Sequence, residues 1–168
     1  MSKVIFWFRR DLRFDDNTGL LAALAQNNDV LPLFIFDEQI VNELSPDDPR
    51  VGFIYKSLKV LDDKLKKYGS GRWVMKGNPL EVWKEILTKE KISKVYSNKD
   101  YEPYARERDH MVKEMLGKAS VGFDQFKDQV IFEEVEIVKD NQEPYHVRPI
   151  FYHQDWRGVF YYQFQIFL

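Results

Sequence analysis

Cysteine is absent from the sequence. That excludes a disulfide framework, a thiolate metal site and a cysteine nucleophile. It suits a reducing compartment, so a cytoplasmic location is expected. Long apolar runs are missing too. The opening MSKVIFWFRRD is too short in apolar residues for a secretory signal, and no stretch reaches the length that crosses a bilayer, so no membrane association is expected. Neither sign of charge dominates: 25 basic and 27 acidic residues leave a net charge of −2. The chain as a whole therefore lacks the concentrated positive surface that grips a phosphate backbone. No GxGxxG follows the first strand, and there is no Walker lysine loop and no GxSxG elbow. His110, His146 and His153 lie too far apart to read as a metal-ligand set, so no metal site is expected.

What remains is a globular composition, 44% hydrophobic and 31% charged over 168 residues, of a size that buries a core without cross-links. Short β-rich runs alternate with longer helical periods. Residues 3–8 read as a strand and 18–26 as a helix capped by Asp16 or Asn17. Residues 30–36 form a buried strand with Pro32 as its one awkward member. After a loop over 45–50, Val51, Ile54, Tyr55, Leu58, Leu61, Leu65 and Tyr68 mark one stripe of a helix over 51–68, ended by Gly69 and Gly71. A strand over 72–75 precedes Asn78-Pro79-Leu80-Glu81, a capping Asn, a first-turn Pro and a third-position Glu. A strand over 94–97, a helix over 102–116 and a strand over 121–126 complete the alternation. The fold class is α/β: a doubly wound, Rossmann-like parallel sheet of five strands with helices on both faces.

In such a sheet ligands bind beyond the carboxyl ends of the strands. Four segments converge there: 8–16, 36–39, 75–78 and 97–104, joined by Arg50 at the start of the long helix. Arg9, Arg10, Asp37, Arg50, Asp100 and Glu102 are expected to ring one cleft, with Phe36 and Tyr101 as flat walls. That suits a planar heteroaromatic ligand with polar edges. The alternative is that these charges only pair at the surface. Arg13 and Asp15 are expected to serve the first helix cap, and Glu102 and Arg106 a solvated i,i+4 pair. With no nucleophile, metal site or acid–base pair, the residues describe a binding domain more than an enzyme.

The stretch FWFRRDLRFDDN over residues 6–17 resembles the opening of the DNA photolyase/cryptochrome family. GLLAAL (19–24), LPLFIFD (31–37), SLKVLDDKL (57–65), KGNP (76–79), VYSNKDYEPYARERD (95–109) and PYHV (144–147) follow in the family's order and spacing. The resemblance implies an N-terminal α/β domain that holds a light-harvesting chromophore. It also implies a C-terminal helical domain, not matched here, that holds catalytic FAD and the damaged-DNA site. By matching position, Arg10, Asp37, Arg50 and Asp100 are the residues that family members with a flavin-like antenna use. Folate-binding members use an Asn-Glu pair that Tyr101-Glu102 matches only in part, so a deazaflavin or flavin is favoured over folate.

On this reading FAD is not bound by this chain alone, and its partner is an FAD-bearing domain or chain, with DNA reached only through that partner. The family-like domain is expected over 1–147. From Arg148 the text diverges into an apolar tail over 148–168 ending VFYYQFQIFL, open to self-association and suggesting a truncated or frame-shifted gene. Autonomous repair catalysis is not expected. A stand-alone nucleotide-binding or signalling module of the same fold, or a non-functional remnant, are the competing readings.

Overall fold

The computed structural model describes residues 2–27, 29–45 and 47–132. The chain divides into two compact units, Met1–Gln129 and Val130–Leu168, and the first carries all the elements below. The expected apolar tail, His146 and His153 lie outside the described residues.

Five strands, β1 (Lys3–Phe8), β2 (Val30–Asp37), β3 (Trp73–Gly77), β4 (Ile92–Asn98) and β5 (Gly122–Phe126), form one parallel sheet in the order β3-β2-β1-β4-β5. The helices are α1 (Thr18–Gln26), the short α2 (Glu38–Val41), α3 (Pro49–Lys67), α4 (Pro79–Lys89) and α5 (Pro103–Lys118). The chain steps outward from β1 to β2 to β3, then returns across β1 to β4 and β5. With right-handed crossovers, that reversal must put the two pairs of connecting helices on opposite faces. It does: Leu20 and Ala23 of α1 and Leu58 of α3 pack with Val4, Phe6 and Phe34, whereas Trp83 and Ile86 of α4 and Val112 and Leu116 of α5 pack with Ile5, Trp7 and Leu33. Alternate residues of β1 thus feed two cores, and Ile5, Phe6, Trp7 and Phe8 are all at most 2% exposed. Trp83 meets Trp7 edge-on with ring centroids 5.5 Å apart.

Pro32 is tolerated in a central strand for a positional reason. It lies opposite Phe6 of β1, but the β2–β3 ladder starts only at Leu33, so the missing N–H falls where one side has no partner strand. The stripe on α3 is narrower than its periodicity suggests. Leu58, Leu61 and Leu65 are buried, but Tyr55 is 67% and Tyr68 85% exposed. Tyr55 sits a quarter-turn off the sheet-facing line, and Tyr68 is the C-cap.

The turn from β1 into α1 is tied by a polar knot. Asn17, fully buried, caps α1 by accepting from Leu20 N, while its amide donates to Arg13 O at 3.1 Å. Its Oδ1 also accepts from Asn98 Nδ2 at 2.9 Å, and the same Asn98 amide donates to Asp11 Oδ2 at 2.6 Å. Asn98 Oδ1 in turn accepts from Gly19 N at 2.9 Å. Of the two candidate caps, Asn17 takes the role. Asp16 instead adopts a positive φ of 52° in the turn.

A Cβ on Gly19 would stand 2.6 Å from Asn98 Oδ1 and 3.2 Å from Ser97 O, one of them backbone that cannot move aside. Gly19→Ala should therefore cost about 1–3 kcal/mol of stability through overpacking, despite alanine's better helix propensity. Gly117→Ala, on α5 with nothing within 4 Å of the added atom, should be neutral or stabilising. Urea denaturation of the two variants checks the contrast; a Gly19→Ala midpoint equal to the parent's would show that the knot is loose.

Candidate functional site

The carboxyl ends of β1 and β2, with the starts of α2, α3 and α5, enclose a cleft of about 480 Å³. That volume falls in the range of small-molecule sites. Of the residues expected to ring one cleft, Arg9, Arg10, Phe36, Asp37, Arg50, Asp100 and Glu102 all line it. Tyr101 is not among its lining residues. Trp7, Ile35, Ile40 and Ile54 supply apolar wall, and Tyr104 and Arg108 stand beside Asp37.

Each charge reaches the cleft by a different local device. Arg9 leaves β1 and turns inward: its side chain is only 7% exposed and forms a salt bridge with Asp109. The same guanidinium donates to the Asn98 carbonyl and to Ser97 Oγ at 3.0 Å, spanning the gap between β1 and β4. Arg10, the next residue, stays at the rim. It is exposed, with Nη1 3.6 Å from Asp100 and 3.4 Å from Glu102. Glu102 therefore faces Arg10 across the rim and is also the N-cap position of α5. Asp37 ends β2 and caps α2 by accepting from Gln39 N at 3.1 Å, and its other oxygen accepts from the Tyr104 hydroxyl at 2.7 Å. Arg50 lies in the first turn of α3 and folds back on the cap residue Asp48, with Nε–Oδ1 2.9 Å and Nη2–Oδ2 2.7 Å. That bidentate contact holds the Asp48 carboxyl down at about 2, helped by the Arg50 N–H that also donates to it. The same pairing pushes Arg50 up.

Sequence reasoning missed the floor of the cleft. Arg108 donates to Asp109 Oδ1 through Nε and Nη2 at 3.1 and 3.0 Å, and its Nη1 lies 3.6 Å from Asp37. Asp109 also accepts from Gln125 at 2.7 Å. Arg9, Asp109, Arg108 and Asp37 thus alternate in sign along one buried chain that ends on the Tyr104 hydroxyl. The guanidinium carbons of Arg9 and Arg108 each lie 5.1 Å from the Trp7 ring centroid. The signal was present: Ala105, Arg108, Asp109, Val112 and Leu116 fall at helical spacing on one buried face. Reading only the apolar members of that stripe sends the two charges to solvent.

Arg13 and Asp15 do not cap α1. Arg13 forms a two-pronged bond to Asp128 at 2.8 Å to each oxygen and donates to Asp16 O, while Asp15 pairs with Lys64 at 3.1 Å. Among the described residues no group of three His, Asp or Glu is placed to hold a metal ion, and no helix is long and apolar enough to cross a membrane.

The sequence model of DNA photolyase matches residues 4–159. The chain belongs to the DNA photolyase family. It is 32% identical over 157 residues to the deoxyribodipyrimidine photo-lyase of a Synechococcus strain, covering 94% of this chain and 32% of that protein. It is 31% identical over 145 residues to cryptochrome-2 of Arabidopsis thaliana, covering 86% of this chain and 24% of that one. An archaeal photolyase from Sulfolobus tokodaii, crystallised with two FAD molecules and described as implying a novel light-harvesting cofactor, aligns with a TM-score of 0.71 at 31% identity. That alignment covers 82% of this chain and 32% of the archaeal one. The chain spans about a third of the length of such photolyases, and it corresponds to their N-terminal α/β domain. The photolyase-like motif DYEPYARERD is thus the segment that places Asp100, Glu102, Tyr104 and Arg108 around one cleft, with Asp109 behind them as the partner of Arg108.

Burial, then the bond to Asp37, pushes the Tyr104 phenol well above its ordinary value. The folded chain keeps a proton that the unfolded chain releases near pH 10, so this tyrosine stabilises the fold below that pH and loses the contribution as pH rises beyond it. In an ultraviolet titration, the difference between wild type and Tyr104→Phe should emerge only well above pH 10. A tyrosinate signal lost by Tyr104→Phe at the ordinary midpoint would contradict the Asp37 contact.

Proposed function

We propose that this chain is the antenna domain of a photolyase or cryptochrome and that the cleft binds a flat light-absorbing cofactor, a deazaflavin or flavin in preference to folate. The observation that carries the reading is the convergence of Arg10, Phe36, Asp37, Arg50, Asp100 and Glu102, drawn from four separate turns, on one cleft of about 480 Å³. The residues present fit such a group. Phe36, Trp7 and Ile54 offer apolar surface, and the carboxylates and guanidinium groups offer acceptors and donors at the edges.

When bound, the cofactor supplies absorption of near-ultraviolet or blue light and passes the excitation to FAD held elsewhere. The chain's own residues bind and orient it. Arg10 and Arg50 are the exposed guanidinium groups that can turn toward a ligand edge. Asp37, fixed by Gln39 N, Tyr104 and Arg108, holds the floor in place. DNA repair or light signalling, the FAD-bearing partner domain and any contact with DNA belong to this proposal. The Sulfolobus relative, crystallised with two FAD molecules and described as implying a novel light-harvesting cofactor, is a precedent for a second flavin ring only.

Purified chain, reconstituted with a deazaflavin or flavin, should hold a near-ultraviolet or blue band after gel filtration. Arg50→Ala should weaken that binding about tenfold, as loss of a charged hydrogen-bond donor does. A colourless protein that binds AMP instead would replace the antenna reading with a nucleotide module.

We propose that the sheet domain lies within residues 1–147; among the described residues its last strand ends at Phe126, which supports this. A chain ending at residue 147 should keep the far-ultraviolet circular dichroism of the folded domain. Collapse of that signal would make residues 148–168 integral to it.

A further inference from the structure

Arginine at a ligand site usually signals phosphate. In this cleft every guanidinium is already matched to a carboxylate of the chain itself. Arg9 is paired with Asp109, Arg10 with Asp100 and Glu102, Arg50 with Asp48, and Arg108 with Asp109 and Asp37. Among the described residues the cleft is lined by four arginines and four carboxylates, Asp37, Glu43, Asp100 and Glu102, with no lysine or histidine. Asp48 and Asp109 stand behind the arginines and add two further negative charges.

The starts of α2 and α3, helix ends of the kind that usually receive phosphate, are filled in the same way. Asp48 accepts from Arg50 N at 2.9 Å at the head of α3, and Asp37 accepts from Gln39 N at the head of α2. At the head of α5 no side chain caps the helix, but Pro103 has no N–H to offer and the Glu102 carboxylate at the cap position is a like charge to a phosphate there. A phosphate entering this cleft would have to displace a carboxylate and then lie beside it, which like-charge repulsion opposes. A ring with neutral carbonyl and N–H edges needs no surplus cation and meets donors and acceptors already in place.

We infer that the cleft selects an uncharged, planar, polar-edged ring system and discriminates against its phosphorylated form. This deepens the antenna reading and rests on it. It singles out Asp48, outside the lining itself, as the residue that sets the selectivity by neutralising Arg50.

Riboflavin and FMN share one ring system and differ by a phosphate, so they are the probes. Titrated into the full chain and followed by flavin fluorescence, riboflavin should bind at least about tenfold more tightly than FMN. Asp48→Asn keeps a good helix cap but releases the Arg50 charge. It should close that gap by strengthening FMN more than riboflavin, and the gain for FMN should fade with added salt. FMN binding as tightly as riboflavin in the wild type, or an Asp48→Asn ratio unchanged from the parent's, overturns the selectivity. Binding of neither flavin to either protein overturns the antenna reading itself, and the selectivity with it.

Discussion

The buried guanidinium of Arg9 is the contact on which the rest of the carboxyl edge depends. A doubly wound sheet reverses direction between β1 and β4, and the ends of those strands diverge there into a crevice that open α/β proteins commonly give to a ligand. Here one side chain fills it. Arg9 reaches from the end of β1 to the carbonyl of Asn98 and the hydroxyl of Ser97 on β4, and to Asp109 on α5. A buried charge carries a desolvation cost that its partner and added hydrogen bonds must offset. Asp109 meets this condition with Arg108 and Gln125 on its remaining lone pairs. The cleft opens beside that plug, above the ends of β1 and β2, where α2, α3 and α5 begin, and Arg9 is itself part of its lining.

The same plug explains the dense charge in FRRDLRFDD, which no single role accounts for. Arg9 and Arg10 follow the end of β1 in a bend and divide the work between them. Arg9 goes into the sheet edge and Arg10 to the rim of the cleft. Asp11 folds back to accept from Arg9 N and from Asn98, closing the turn. Arg13 reaches Asp128 just beyond β5, and Asp15 reaches Lys64 on α3, so the one turn is fastened to both flanks of the sheet. Asn17 then starts α1 with its own amide wholly used.

The fold was legible in the sequence because its elements are locally consistent. Val, Ile and Phe in short runs, Asn and Pro at helix starts and a period of 3.6 between them point to the same answer at each step. Pro32 looked like an exception only because the sequence does not say where a neighbouring strand begins. The lining of the cleft was legible in part, since topology alone brings strand ends together. The floor was not. Arg108 and Asp109 fill core positions of α5 within the stripe set by Ala105, Val112 and Leu116, and charges in such a stripe are ordinarily read as solvated. Tyr104 was hidden for a related reason, because its partner Asp37 is 67 positions away and only the fold supplies the contact.

Capping and recognition share residues here, which ties the chemistry of the cleft to the stability of the domain. Asp37 and Asp48 each satisfy a helix N–H and each neutralise, or help to neutralise, an arginine that lines the cleft. A carboxylate placed for one purpose thereby sets the electrostatics of the other. Removing Asp37 would unsettle α2, Tyr104 and Arg108 together, so the floor can change its ligand preference only through changes that also cost stability. The rim is not bound in this way. Arg10, Glu102 and Arg50 are exposed, and none of their side chains caps a helix. The rim can therefore vary while the floor stays constant, so the charges at the edge of the cleft are the part that can change with little cost to the fold.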